Sequence, residues 1–447
     1  MKSTKVLIIL VCILGVLILA GCTDKTKNNP TRPMVLNKGT IWINAWRFYS
    51  VFFSTAGNPG YMNSLAYLPP GYDWQSGSGR PYPVLYLLSP FRGDDRYYFE
   101  HGLAEVADRL LAEGKIQPMI IVSIDGRSLL GGSFFANSTV QGDFFSALVE
   151  DRDYLVDLYI NRFEVPAFRG ERRLESPALV NRYDGLYSTI VDPKARAISG
   201  VGMGGYGAFA AALQTNLFGS VSAVDAPLDF DGVDGNSGFL SLFRNTFTPG
   251  SWTIIDTTET GRVDTTFIVD TSQANQAMSL IVSAAAAFAP YYLATVTDSV
   301  YWSQLQLETW AYTVTDTAAG SPSTYLPRHK AHVPFDSTGA IVQPIWDKWL
   351  EKSIPSLYDN DTMGFAAAFD TMPKLLISSD YPDFYFDEQM AGCIDFFTNN
   401  SIAFDSVSFS GNGDLTGTAD HFLYDLLEDI LIFHSAHFEI PPDIEGR

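Results

Sequence analysis

Basic residues are scarce in this 447-residue chain: 29 Lys and Arg stand against 50 Asp and Glu, a formal net charge of −21. So acidic a surface repels phosphate backbones and anionic headgroups. That excludes nucleic acid as a partner and electrostatic adhesion to a membrane. Cysteine is rarer still, at Cys12, Cys22 and Cys393 only. Metal-ligand patterns are missing as well. His329-x-x-His332 and His434-x-x-His437 have helical i, i+3 spacing, but neither has an acidic or cysteine partner at a recognisable spacing. They read as solvated or packing histidines, and neither a metal nor another cofactor is expected. The longest apolar run, Val6 to Ala20, falls short of the roughly 20 residues of a spanning helix. There is no internal repeat and no low-complexity tract. What is present, 46% hydrophobic and 14% aromatic residues, suits a large packed core.

The ends of the chain are read apart from the fold. Lys2 and Lys5 precede the apolar run, and Leu19-Ala20-Gly21-Cys22 closes it. This resembles the lipobox of bacterial lipoproteins. The resemblance implies a signal peptide over 1–21, diacylglycerol on the Cys22 sulfur and an acylated amine. It also implies an extracytoplasmic chain held on the cell-surface or periplasmic side of a bacterial membrane. Removing the positive charges of Lys2 and Lys5 takes the net charge from −21 to −23. Residues 22–33, polar with two prolines, form a flexible tether. With Cys12 removed and Cys22 acylated, Cys393 is left alone, so the mature chain has no internal disulfide. Residues 34–439 are assigned to one domain and 440–447 to a tail.

Within that domain, short aromatic and β-branched runs from Thr40 to Tyr67, including Phe48 to Phe53, read as antiparallel strands. Further strands are expected at Pro83–Leu88, Met119–Ser123, Ala197–Val201, Ser220–Val224, Lys374–Ser378 and Ala403–Phe409. Helices are expected at Arg96–Glu113, Asp143–Tyr159, Phe386–Phe397 and His421–Phe438. Continuous apolar strands separated by helices indicate an α/β fold, with a mostly parallel sheet covered on both faces. From about 231 to 371 the alternation stops. This stretch reads as a partly lid-like insertion carrying helices near Gln276–Phe288 and Ile345–Lys352.

The run Ala197-Ile198-Ser199-Gly200-Val201-Gly202-Met203-Gly204-Gly205-Tyr206-Gly207-Ala208 leads a strand through a glycine turn into a helix. It has the frame of a nucleophile elbow, Gly-x-Ser-x-Gly, with Gly202 where the serine belongs. The same letters contain Gly-x-Gly-x-x-Gly, and Asp225 follows at a dinucleotide-like spacing. Strand order separates the two readings. A dinucleotide fingerprint belongs to the first strand, whereas at least four expected strands precede this one.

Together with Tyr67-Leu68-Pro69-Pro70-Gly71-Tyr72, Pro83 to Leu88, Ile121 to Gly126 and Leu217 to Ala223, the elbow run resembles the α/β-hydrolase fold. The similarity is to the esterase group that includes esterase D-like and mycolyltransferase-like proteins. The resemblance implies a triad in the chain order serine, acid, histidine. Gly202 takes the serine position, Asp383 the acid position, with Asp380 nearby, and His421 the histidine position, in a loop before the last helix. The oxyanion amides fall on Phe91 and Met203, with Pro90 in a loop (Ser89 to Gly93) where the family carries His-Gly-x-x-Gly.

Two functions fit these residues. One is a degenerate, non-catalytic or weakly catalytic esterase that binds a small acyl-ester ligand or a protein partner while Cys22 is held in the lipid bilayer. The other is an active carboxylic-ester hydrolase or acyltransferase using Ser89 as substitute nucleophile or a water activated by His421. Ser199, inside its strand, is expected to point into the core.

Overall fold

The computed structural model describes residues 38–47, 61–72, 81–128, 130–138, 141–150, 152–155, 173–176, 178–233, 238–246, 252–259, 262–269, 276–292, 306–308, 329–332, 334, 340–379, 386–409 and 419–441. The leader, Cys22, the tether, Phe48 to Phe53, Asp380, Asp383 and residues 442–447 lie outside them.

Eight strands form the main sheet: β1 (Thr40–Arg47), β2 (Tyr61–Leu68), β3 (Val84–Leu88), β4 (Ile120–Ile124), β5 (Arg196–Val201), β6 (Ser220–Val224), β7 (Lys374–Ser379) and β8 (Asp405–Phe409). Their order is β1-β2-β4-β3-β5-β6-β7-β8. β2 runs antiparallel to both β1 and β4, and every other pair is parallel. This mostly parallel sheet, with its antiparallel first strands and the 4-3 crossover, has the α/β-hydrolase arrangement.

Alternation along each strand sorts the core onto two faces. Leu85, Leu87, Ile121, Ala197 and Leu375 pack with α1 (Leu103–Ala112) and with α7 (Ala419–His437), through Leu426, Leu427, Ile430 and Leu431. Val84, Tyr86, Leu88, Ile198 and Ala223 face α2 (Met203–Gln214). Buried on both sides, the central strands need no polar alternation, which is why they read as unbroken apolar runs. Register aligns their carboxyl ends. Leu88 lies opposite both Ile124 and Gly200, and Val224 opposite both Val201 and Ile377. The residues that follow these positions share one edge, where open α/β sheets place their ligands.

Several expected elements differ. The helix over Arg96–Glu113 is two, Tyr97–Glu100 and α1, because Gly102 takes φ 91 between them. The expected helix Asp143–Tyr159 is only Phe144–Val149; Glu150 is extended, and Arg152–Leu155 pairs with Arg173–Ser176 in a hairpin. Local periodicity fits both states there, and a distant strand partner decides between them. His329–His332 is a strand antiparallel to Pro290–Tyr292, so its helical spacing does not apply.

Residues 231–371 contain α3 (Gly238–Thr246), α4 (Gln276–Phe288) and α5 (Gln343–Leu350). They also contain a second sheet of five strands, in which Trp252–Glu259 pairs with Arg262–Val269. α6 (Asp387–Asn399) returns the chain to the main sheet between β7 and β8. Among the described residues, no helix is long and apolar enough to cross a membrane.

Candidate functional site

Gly202 sits between β5 and α2 at φ 54 and ψ −116, a backbone state that L side chains avoid. Its neighbours are glycines for a different reason. A Cβ on Gly200 would lie 2.2 Å from the Gly204 carbonyl carbon, one on Gly204 would lie 2.1 Å from the Leu88 oxygen, and one on Gly205 would lie 2.6 Å from Ala226 Cβ. These three let the turn press onto β3 and β6, and that contact accounts for the glycine spacing without a pyrophosphate. At Gly202 the nearest atoms to a Cβ are Phe386 Cε2 at 3.6 Å and Cδ2 at 3.8 Å, followed by the Asp225 carbonyl oxygen at 3.9 Å. Strain restricts this position and crowding does not.

Two strand tips are tied together beneath the turn. The buried Tyr98 hydroxyl donates to the Leu88 carbonyl at 2.7 Å and accepts from the Val201 amide at 3.2 Å, joining β3 to β5. Ser89 is fully enclosed, and its Oγ accepts from the Gly126 amide at 2.9 Å, joining the loops after β3 and β4. That is a bracing contact, with the hydroxyl turned away from solvent. Arg92, at φ 65, donates its amide to Gly131 and closes the loop after Pro90.

The two expected oxyanion residues meet at Gly132. A Cβ there would fall 2.4 Å from Met203 Sδ and 2.7 Å from Phe91 Cδ2. Among the described residues, neither the Phe91 nor the Met203 amide has a hydrogen-bond acceptor.

Acids gather on the same edge. Asp94 is held below the usual carboxylate range: burial works upward, and hydrogen bonds from Arg96 outweigh it. Asp95 is pushed up to about 6 by burial and then by the charges of Asp125 and Asp94. Asp225 is buried at the tip of β6 with φ 40, and its amide donates to the Ile377 carbonyl. Among the described residues, no group of three or more metal-ligating side chains is assembled. His421 lies in the first turn of α7 rather than in a loop before it, and Asp383 lies outside the described residues.

The insertion supplies walls. Ser283 on α4 donates to the Gly132 carbonyl, Ser138 donates to the Ala286 carbonyl, and Gln141 donates to the Ser283 carbonyl. Around Gly202 the rings are continuous. Phe386 packs 5.8 Å from Phe239, Phe239 5.7 Å from Trp349, Trp349 5.5 Å from Phe288, and Phe288 5.3 Å from Tyr206 of α2. Such edge contacts each contribute about 0.5–1.5 kcal/mol beyond their burial. The sequence showed the aromatic content without showing that rings from α3, α4 and α5 converge here.

Sequence reasoning also missed a buried polar network on the α7 face. Ser220 Oγ lies 2.8 Å from His434 Nδ1, Ser222 Oγ lies 2.9 Å from His434 Nε2, and Ser222 donates to Ser199 Oγ at 2.6 Å. Because Ser222 gives its proton to Ser199, Nε2 donates to Ser222. Burial keeps the ring neutral, so that Nδ1 accepts from Ser220. Burial, and then the charge of His437, push its pKa down to about 3. The alternating serines Ser220 and Ser222 in an otherwise apolar strand were the local signal, while their partner His434 lies more than 200 positions away.

No family model matches the chain. Among solved structures it is similar to a ferulic acid esterase, at 14% identity and TM-score 0.46, covering 90% of this chain and 100% of that one. It is similar to an S-formylglutathione hydrolase from Agrobacterium tumefaciens, at 12% identity and TM-score 0.45, covering 90% and 96%. It is also similar to FphF, a fluorophosphonate-binding serine hydrolase of Staphylococcus aureus, at 11% identity and TM-score 0.42, covering 89% and 98%. The strand order and the aligned strand tips make the fold of this chain that of an α/β-hydrolase.

Proposed function

We propose that the chain is an esterase-type α/β-hydrolase whose nucleophile position is occupied by Gly202. On this reading it works as a ligand- or partner-binding module, held extracytoplasmically by acylated Cys22. The observation that carries the reading is the contrast within the turn. Gly202 has the positive φ of a sharp strand-to-helix turn and only ordinary van der Waals contacts where a Cβ would stand, while a Cβ on Gly200, Gly204 or Gly205 would fall within 2.6 Å of another atom. A serine there would stand clear of the sheet. Without it, no acyl-enzyme forms, and the amides of Phe91 and Met203 are left to polarise or hold a carbonyl. The acidic surface and the aromatic walls remain available for binding.

The alternative, active hydrolysis, narrows to water activated by His421, because the Ser89 hydroxyl is enclosed and engaged with Gly126. Hydrolysis of p-nitrophenyl acetate by the chain, His421→Ala and Gly202→Ser separates the readings. The expected result is no native turnover above buffer hydrolysis and a rate at least about 100-fold above that background in Gly202→Ser, a small part of what a nucleophile contributes in an optimised triad. Native turnover abolished by His421→Ala would establish the water mechanism instead. Inertness of all three would leave binding unaccompanied by any residual catalytic geometry.

A further inference from the structure

Among the described residues, Gln389 is the one side chain whose buried polar atoms at both ends of the amide, Oε1 and Nε2, lack a partner. The residue is 1% exposed. A buried unpaired amide costs stability and calls for an explanation, such as a bound ligand.

Its place in the fold points to the elbow. Phe386, Gln389, Met390, Cys393 and Phe397 form the buried face of α6, while Glu388 is exposed. Phe386, three residues before Gln389, brings its ring to 3.6 Å from where a Gly202 Cβ would stand. Phe386 is the N-cap of α6 and Gln389 its third residue, so both belong to the first turn of the helix, the turn whose Phe386 ring reaches the elbow. The opposite wall is the segment after β6. The Asp229 main-chain amide donates to the Gln389 main-chain carbonyl at 3.1 Å, and Gly392 allows α6 to approach Asp229 and Gly232.

We propose that Gln389 is the polar contact of a binding site between α6 and the elbow, and that its ligand is a small apolar molecule with an uncharged carboxamide headgroup. A primary amide offers donors beside an acceptor, and a second carboxamide matches both at once. The neighbouring Phe386, Phe239 and Met390 favour an apolar body. The Gln389 amide is itself uncharged and 1% exposed, so a charged headgroup would be desolvated there without a counter-charge from it, and the headgroup is neutral.

The inference rests on the reading of this region as a binding site, and its test is separate from the Gly202→Ser assay. The probe is benzamide at millimolar concentration, followed by thermal unfolding of the chain and of Gln389→Met, which keeps the volume and removes the amide. Without probe, Gln389→Met should melt at least about 2 °C higher, because an unpaired buried amide is gone. Benzamide should raise the midpoint of the native chain and leave that of Gln389→Met unchanged. A lower midpoint for the variant would mean that the amide is satisfied structurally, for example by buried water, and would overturn the proposal. Equal benzamide shifts in both proteins, or none in the native chain, would also overturn it. An inert Gly202→Ser with a Gln389-dependent shift removes the nucleophile reading alone. An active Gly202→Ser without that shift removes this one alone.

Discussion

The turn at Gly202 and the network around His434 sit close along the same two strands and hold opposite halves of a hydrolase. At the turn there is geometry without a hydroxyl: positive φ, no steric clash for a Cβ on Gly202, and two amides without acceptors among the described residues. At the network there are three serine hydroxyls and an imidazole within hydrogen-bond distance, all enclosed between β5, β6 and α7. The network has the residue types of a nucleophilic site, but its ring is held neutral and no substrate can reach it. Backbone placement at a strand tip, more than the nearness of serine to histidine, is what makes a nucleophile.

The sharpest way to break this comparison is to move a hydroxyl to the turn. Gly202→Ser should be labelled at residue 202 by an organophosphorus fluoridate. The native chain should remain unlabelled at Ser199, Ser220 and Ser222, as read by peptide mass spectrometry. Labelling of any of those three in the folded native chain would show that enclosure does not separate the two regions.

The next effect is on stability against pH. Ser220, Ser222 and His437 surround a ring whose folded pKa is about 3 against an ordinary 6.5. The neutral ring belongs to the folded state, so the native chain keeps its full stability above about 6.5. It loses about 1.4 kcal/mol per pH unit from this group as pH falls from there toward 3. Asp95, raised to about 6 from 3.8, acts the other way: its protonated form is the folded one, so its contribution falls as pH rises through that interval. Urea unfolding of His434→Gln between pH 7 and 4 should show a flatter acid limb than the native chain. An unchanged limb would mean that His434 is solvated.

Within the turn, steric and conformational demands can be separated. Gly204→Ala places a Cβ against the Leu88 oxygen and should cost about 3 kcal/mol or more, since that backbone cannot yield. Gly202→Ala meets only ordinary contacts and should cost about 1 kcal/mol, from strain alone. Equal losses in denaturant titrations would mean that one cause serves both. A change smaller than Gly204→Ala and comparable to Gly202→Ala is Tyr98→Phe. It strands the Leu88 carbonyl and the Val201 amide, and about 1–2 kcal/mol should be lost in the same measurement.

Much of this was legible beforehand. The largely apolar runs of β3, β4, β6 and β7 were legible because a strand buried on both faces carries few polar residues, the buried serines Ser123, Ser220 and Ser222 being exceptions. The alanine-rich helix Gln276–Phe288 begins and ends where its composition indicated. The stretch after Val149 misled, because the hairpin that captures Arg152–Leu155 is closed by Arg173–Ser176, and no local window contains both partners. The sequence left His434 as a solvated or packing histidine, because its serine partners lie more than 200 positions away in the chain.

By itself, then, the sequence determined the order of strands and helices, the acidic surface and the glycine at the centre of the turn. These follow from patterns within a few residues, where steric preference and burial on one or two faces leave few choices. Only the tertiary structure decided which glycines are spacers and which is strained, that Ser89 braces a loop, and that Gln389 is buried without a partner. Each of those depends on atoms brought together from distant segments. The energy of a contact or of an unpaired polar group is set by those neighbours, and the residue type alone does not carry it.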